Sequence, residues 1–189
     1  SGVTGEVRYR PERIELYALR GKSGDAEVTL EGSLEKSMAR VGVRMVGLPL
    51  RPDTIQALPR DVRKILRTLK LGGTVNTEVN LRIYHGETRK MDGWMALQIN
   101  DGAIEGDIPI ENILGDARLE VYVRGDETEL RGPVRLTQAT ILGKEVQRLS
   151  CSLTKTGPVL RFLNIQGSMY GGGVTGWMKV DTKSDEFTG

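Results

Sequence analysis

Period-two alternation of apolar and polar residues runs through almost the whole chain. Ala26, Val28 and Leu30 alternate with Glu27, Thr29 and Glu31, and Leu119, Val121 and Val123 alternate with Glu120 and Tyr122. A strand points successive side chains to opposite faces, so this pattern makes ribbons with one dry face and one wet face. A helix would need apolar residues three and four apart. Strand-type segments are expected at 3–10, 13–19, 25–31, 38–46, 74–84, 91–100, 103–108, 117–124, 128–131, 134–142, 145–155, 159–167 and 173–181. Turns are expected at 21–24, at His85-Gly86, at Gly125-Asp126, at Gly143-Lys144 and at Gly157-Pro158. Asn100-Asp101-Gly102 is the strongest hairpin signal, because Asn or Asp before Gly accepts positive φ. Residues 109–114 read as a connector with a single helical turn. About a dozen short strands make the fold all-β and mainly antiparallel.

One stretch breaks the alternation. Ile55, Leu58, Val62, Ile65, Leu66 and Leu69 recur at helical spacing and predict one amphipathic helix over about 53–70. Asp53 or Thr54 would cap it, and Pro59 would open its main part after a short first turn. Lys70 suits the C-terminal end of the dipole, and Gly72-Gly73 would stop it. Its outer face carries Arg60, Arg63, Lys64, Arg67 and Lys70. A solvated helix face explains these cations, and so does contact with anionic lipid headgroups at a membrane surface.

A length of 189 residues fits one domain, read as strands over 1–46, the helix, and strands over 73–181. Hydrophobic residues at 38% and charged residues at 28% describe a folded chain rather than a disordered one. A net charge of +2 with 5% aromatics argues against nucleic acid as a partner. The 24 glycines follow no Gly-X-Y period, so they mark turns and bulges. The apolar runs all fall short of the roughly 18 residues that a membrane-crossing helix needs. Ser1-Gly2 reads as a cloning remnant, which leaves room for a native leader or anchor upstream.

No constellation for catalysis, metal or cofactor emerges. Gly171 to Gly176 formally fits GxGxxG, but the chain lacks the following helix and the acid about 20 residues on that dinucleotide binding requires. His85 is the single histidine and falls in a turn, so it makes a poor metal ligand and a poor general base. Cys151 alternates with Leu149 and Leu153 and reads as an inert core thiol. Arg124-Gly125-Asp126 reads as turn chemistry. Trp94 and Trp177 are amphipathic and suit a groove rim or a membrane interface. The many carboxylates fall on the wet face, and a glycosidase pair among them is the remaining enzymatic reading.

The inward positions are medium-sized aliphatics, with two phenylalanines in the whole chain. Two arrangements satisfy this: a compact sandwich, or a curved sheet whose inner face lines a groove with the helix covering one end. In the second, the lining residues are Val28, Leu30, Val43, Met45, Val79, Leu81, Met95, Leu97 and Ile99.

Two stretches carry a resemblance. The run GLPL followed by ALPRDVRKILRTLKLGGTVNTEVNL resembles the strand, short helix, glycine, strand module of AsmA-like proteins. The run SMYGGGVTGWMKVD, with Tyr170, Gly171, Gly172 and Gly176, resembles the C-terminal signature of that family. The resemblance implies a long curved β-groove that carries phospholipid between membranes in the periplasm of a diderm bacterium. It implies an inner-membrane anchor and further domains of the same chain, so that this sequence is a fragment of a larger protein. It therefore points to a non-enzymatic lipid-binding and transfer module. The alternative is a structural or interaction scaffold in outer-membrane biogenesis, which would use an exposed strand edge.

Overall fold

A computed structural model describes residues 2–57, 63, 66–67, 70–86, 88, 90–105, 109–184 and 186–188. The strands are β1 (Thr4–Arg10), β2 (Arg13–Ser23), β3 (Ala26–Glu35), β4 (Met38–Pro49), β5 (Leu71–Tyr84), β6 (Lys90–Ile104), β7 (Ile110–Arg124), β8 (Glu127–Ile141), β9 (Lys144–Thr156), β10 (Val159–Met169), β11 (Gly172–Asp181) and β12 (Glu186–Thr188). All belong to one antiparallel sheet in which sequence order is spatial order, β1 to β12. The sheet is curved and does not close. Successive strands joined by short turns make this meander the simplest use of the alternating pattern, since each strand pairs with the one just formed.

Several expected turns are strand interiors. β2 runs on through Gly21, and the turn falls at Gly24-Asp25. β6 runs through Asn100-Asp101-Gly102. Asp101 does take φ 54°, but it forms a bulge, with the register to β7 shifting between Ile99 and Gly102. The segments expected at 91–100 and 103–108 are therefore one strand as far as Ile104, and residues 106–108 lie outside the described residues. Residues 110–114 begin β7 rather than a helical turn. β8 likewise joins two expected strands across Gly132-Pro133. Pro133 has no N–H to donate, and the β7–β8 ladder skips from Ala117–Val134 to Glu120–Arg131 around it. In each case pairing with both neighbouring strands outweighs the local turn preference, and a bulge or a missing ladder bond absorbs the misfit.

The helix also starts differently. α1 (Pro52–Ala57) has Pro52 at its first position, and Ile55 N donates to Arg51 O at 2.8 Å, which makes Arg51 the cap. Asp53 sits in the first turn instead of capping it, where its charge complements the dipole. Arg63, Leu66 and Arg67 are helical as well. Residues 58–62, 64–65 and 68–69, including Leu58, Pro59, Arg60, Val62, Lys64, Ile65 and Leu69 of the expected helix, lie outside the described residues. Lys70, at φ 46°, makes the turn into β5, so Gly72 and Gly73 are strand residues rather than the stop.

The helical segment covers one end of the sheet's apolar face. Ile55 is buried with Ala26, Leu48, Leu50 and Val75, and Leu66, Leu71, Met45 and Ile99 pack around that cluster. Arg51 Nη2 lies 3.1 Å from Asp25 Oδ2, an exposed pair that ties the helix start to the β2–β3 turn.

Candidate functional site: a concave apolar face

Cross-strand partners share a face, so the pairing register shows which side chains meet. Leu30, Val43, Val79, Met95 and Leu119 stand opposite one another in turn from β3 to β7. A second row runs Val28, Met45, Thr77, Leu97, Ala117, Val134 and Cys151 from β3 to β9. Leu81 lies in a third row with Val41, Gly93, Val121, Leu130, Lys155 and Leu160. Ile99 lies in a fourth with Leu48 and Val75. All the lining residues named from the sequence thus share one face. Within these rows and among the described residues, Lys155 is the single charged side chain. It is buried, and its Nζ donates to Thr128 O at 3.1 Å.

The face is concave. Ala117, Leu119, Val121 and Val123 on β7 are at most 8% exposed, while Arg118 and Glu120 between them are exposed. A flat single layer would leave both sides accessible, so the sheet bends toward its apolar side at β7. Backbone crowding on that side agrees. A Cβ added at Gly93 would lie 2.0 Å from Asn80 O, and one at Gly132 would lie 2.0 Å from Arg118 O. Glycine at these points lets adjacent strands close up on the inner side, which is how a sheet acquires coil.

The lining residues divide by what covers them. Met45 and Ile99 pack against the helix cluster. Val28, Leu30, Val43, Val79, Leu81, Met95 and Leu97 lie beyond that cluster, and each is half-buried. Cys151 is buried in the second row, and desolvation raises its thiol pKa, which keeps it an unreactive apolar group. The β7 and β9 members of the rows were left out of the sequence-based lining set. The alternation at Ala117, Leu119, Val121 and Val123 carried the signal, but only the register to β6 shows that it faces the same way.

The convex face is polar and cross-linked. Arg82 Nε donates to Asp92 Oδ2 at 3.0 Å, and Arg131 Nε donates to Glu120 Oε2 at 2.6 Å. The Arg131 hydrogen bond, then that of Tyr122, holds the Glu120 carboxyl below the usual carboxylate range. Trp94 lies in the middle of this face, half-buried with the Arg118 guanidinium 4.6 Å from its ring centroid, rather than at a rim. Trp177 is half exposed on β11. His85 sits exposed after β5, with Nδ1 3.1 Å from Lys36 O. Gly125 takes φ 60° in the β7–β8 turn, so Arg124-Gly125-Asp126 is turn geometry. Gly171, at φ 77°, turns β10 into β11, and Gly172 to Gly176 are strand residues. Two shallow hollows, one floored by Tyr122 and Arg131 and the other by Gln147 and Tyr170, also belong to the polar side.

Of the helix cations named for a membrane surface, Arg67 is exposed, and Arg63 is half-buried with Nη1 donating to Gln56 O at 3.2 Å. Arg60 and Lys64 lie outside the described residues. No group of three or more potential ligands for a metal ion occurs among the described residues, and no described helix is long and apolar enough to cross a membrane. The architecture defines a class: an unclosed, curved antiparallel meander with one apolar concave face, covered at one end by a helical segment. No family model, curated protein or solved structure matches the chain.

Proposed function

We propose that the concave face holds the acyl chains of a phospholipid and that the chain is a non-enzymatic lipid-binding module. One observation carries this reading: apolar rows run in register across an unclosed sheet, and among the described residues the helix cluster packs on one end of them. A half-buried aliphatic surface of this length is costly to leave in water unless something apolar occupies it. At about 0.8 kcal/mol per fully buried methylene, and half that with one-sided shielding, a chain of roughly fifteen methylenes gains about 6 kcal/mol and a pair about 12. Association costs about 4–15 kcal/mol, which favours a two-chain phospholipid over a free fatty acid.

The AsmA-like sequence pattern supports the wider setting. In that setting the module is part of a periplasmic protein anchored in the inner membrane, moving phospholipid toward the outer membrane, with Arg63 and Arg67 near headgroups. A scaffold role in envelope assembly is the alternative reading. Native mass spectrometry of delipidated protein incubated with phospholipid separates the two. The lipid reading expects a bound phospholipid that Leu81→Glu removes, with folding retained by circular dichroism. Absence of bound lipid in the wild-type chain, or binding indifferent to Leu81→Glu, would leave the scaffold.

A further inference from the structure

The meander sends alternate turns to opposite ends of the sheet. One end holds the helical segment, and the pairs Leu71–Ile104, Ile104–Ile110, Ile110–Ile141 and Ile141–Lys144 follow its margin from β5 to β9. Two hairpin tips lie on this margin, Leu142-Gly143 between β8 and β9 and Tyr170-Gly171 between β10 and β11. Leu142 is 62% exposed and Tyr170 is 75% exposed. Among the described residues they are the two exposed large apolar side chains that stand at turns. The turns at the opposite end carry Glu12, Lys36-Ser37, His85-Gly86, Gly125-Asp126 and Gly157-Pro158.

The hairpins themselves do not call for these two residues. Leu142 takes φ 50° and Tyr170 takes φ 51°, a left-handed conformation that asparagine, aspartate and glycine adopt more readily. Both tips thus forgo burial and the favoured turn chemistry together. The tips also touch, with Lys144 Nζ 5.4 Å from the Tyr170 ring centroid. Arg67 and Lys70, both exposed where the helical segment meets β5, bring two more cations to the margin.

We infer that this margin docks on a phospholipid bilayer, with Leu142 and Tyr170 entering the interface and Lys144 meeting headgroup phosphates beside them. A bilayer interface accepts a protruding leucine without a shaped pocket. A tyrosine there keeps its ring in the apolar zone and its hydroxyl among the headgroups. A lysine lays its stem alongside and pairs its ammonium with phosphate. Glu111 and Glu145 are exposed on the strands behind the tips, so insertion rather than net charge drives the contact. The choice of a bilayer rests on the lipid reading, since a face that holds acyl chains must meet the membrane that supplies them.

Vesicle flotation tests it with Leu142→Asn and Tyr170→Asn, because asparagine suits both backbone positions and keeps the hairpins intact. The wild-type chain is expected to float with phosphatidylcholine vesicles, and more completely once phosphatidylglycerol is included. Each asparagine variant is expected to bind about tenfold more weakly, with thermal stability unchanged or raised. Lys144→Glu is expected to reduce the preference for phosphatidylglycerol. An environment-sensitive fluorophore attached through Leu142→Cys is expected to shift to the blue on vesicles, while one attached through Asp126→Cys, at the opposite end, stays unchanged. A wild-type chain that does not float overturns the proposal. So do asparagine variants that float as well as wild type, or equal fluorescence shifts at the two ends. Native mass spectrometry with phospholipid delivered in detergent reads the concave face separately, and the asparagine variants are expected to retain lipid there. A wild-type chain that floats yet retains no phospholipid contradicts the lipid reading and keeps the docking tips; one that retains phospholipid yet does not float does the reverse.

Discussion

The helix-covered end of the apolar face and its middle are built from the same aliphatic side chains, yet they are buried to different degrees. Leu48 and Val75 are almost inaccessible beneath Ile55. Val43, Val79, Leu81 and Met95, on the same strands or the next one, are half-buried. The residue type does not set the difference; the covering element does. The packed end resembles a small conventional core and anchors the fold. The middle, half-buried, keeps part of its apolar surface accessible. The proposed lipid site is thereby set apart from the part of the face that anchors the fold.

Substitutions sharpen that contrast. Leu48→Ala should have the largest effect, a loss of about 2–4 kcal/mol in urea unfolding, because it empties a site the helix closes over. Gly93→Ala should cost about 1–3 kcal/mol in the same measurement, since β5 and β6 must move apart to admit the new Cβ. Leu97→Glu, in the middle, should cost about 1 kcal/mol or less in unfolding while abolishing phospholipid retention. A Leu97→Glu loss as large as that of Leu48→Ala would erase the contrast.

The smallest effect belongs to the convex face. Glu120 has its folded pKa depressed by Arg131 and Tyr122. A depressed carboxylate contributes stability above its unfolded pKa, and that contribution is lost as pH falls through the lower folded value. An NMR titration should place the Glu120 carboxyl below the ordinary carboxylate range, and Arg131→Ala should return it toward that range with little change in stability at neutral pH.

Alternation alone assigned every named lining residue to one face, because a two-residue period survives whatever the loops do. What it missed was strand length. Gly21, Asp101 and Pro133 look like terminators locally, but each is held in a strand by neighbours on both sides, and no local signal reports those neighbours. The cap was misplaced for a related reason: Asp53 and Thr54 are the residue types that favour capping, and only the hydrogen bond from Ile55 to Arg51 puts Pro52 at the first position. The glycines at 93 and 132 gave no sign in the sequence that they shape curvature, since the crowding that requires them is between strands.

The most direct test places a photoreactive group on the acyl chain of a phospholipid and maps its cross-links on the protein by peptide sequencing. Cross-links concentrated at Val43, Val79, Met95 and Leu97, and sparse at Leu48 and Val75, are the predicted result. Cross-links confined to the convex face around Trp94 and Tyr122, or none above an unreactive control lipid, would contradict it.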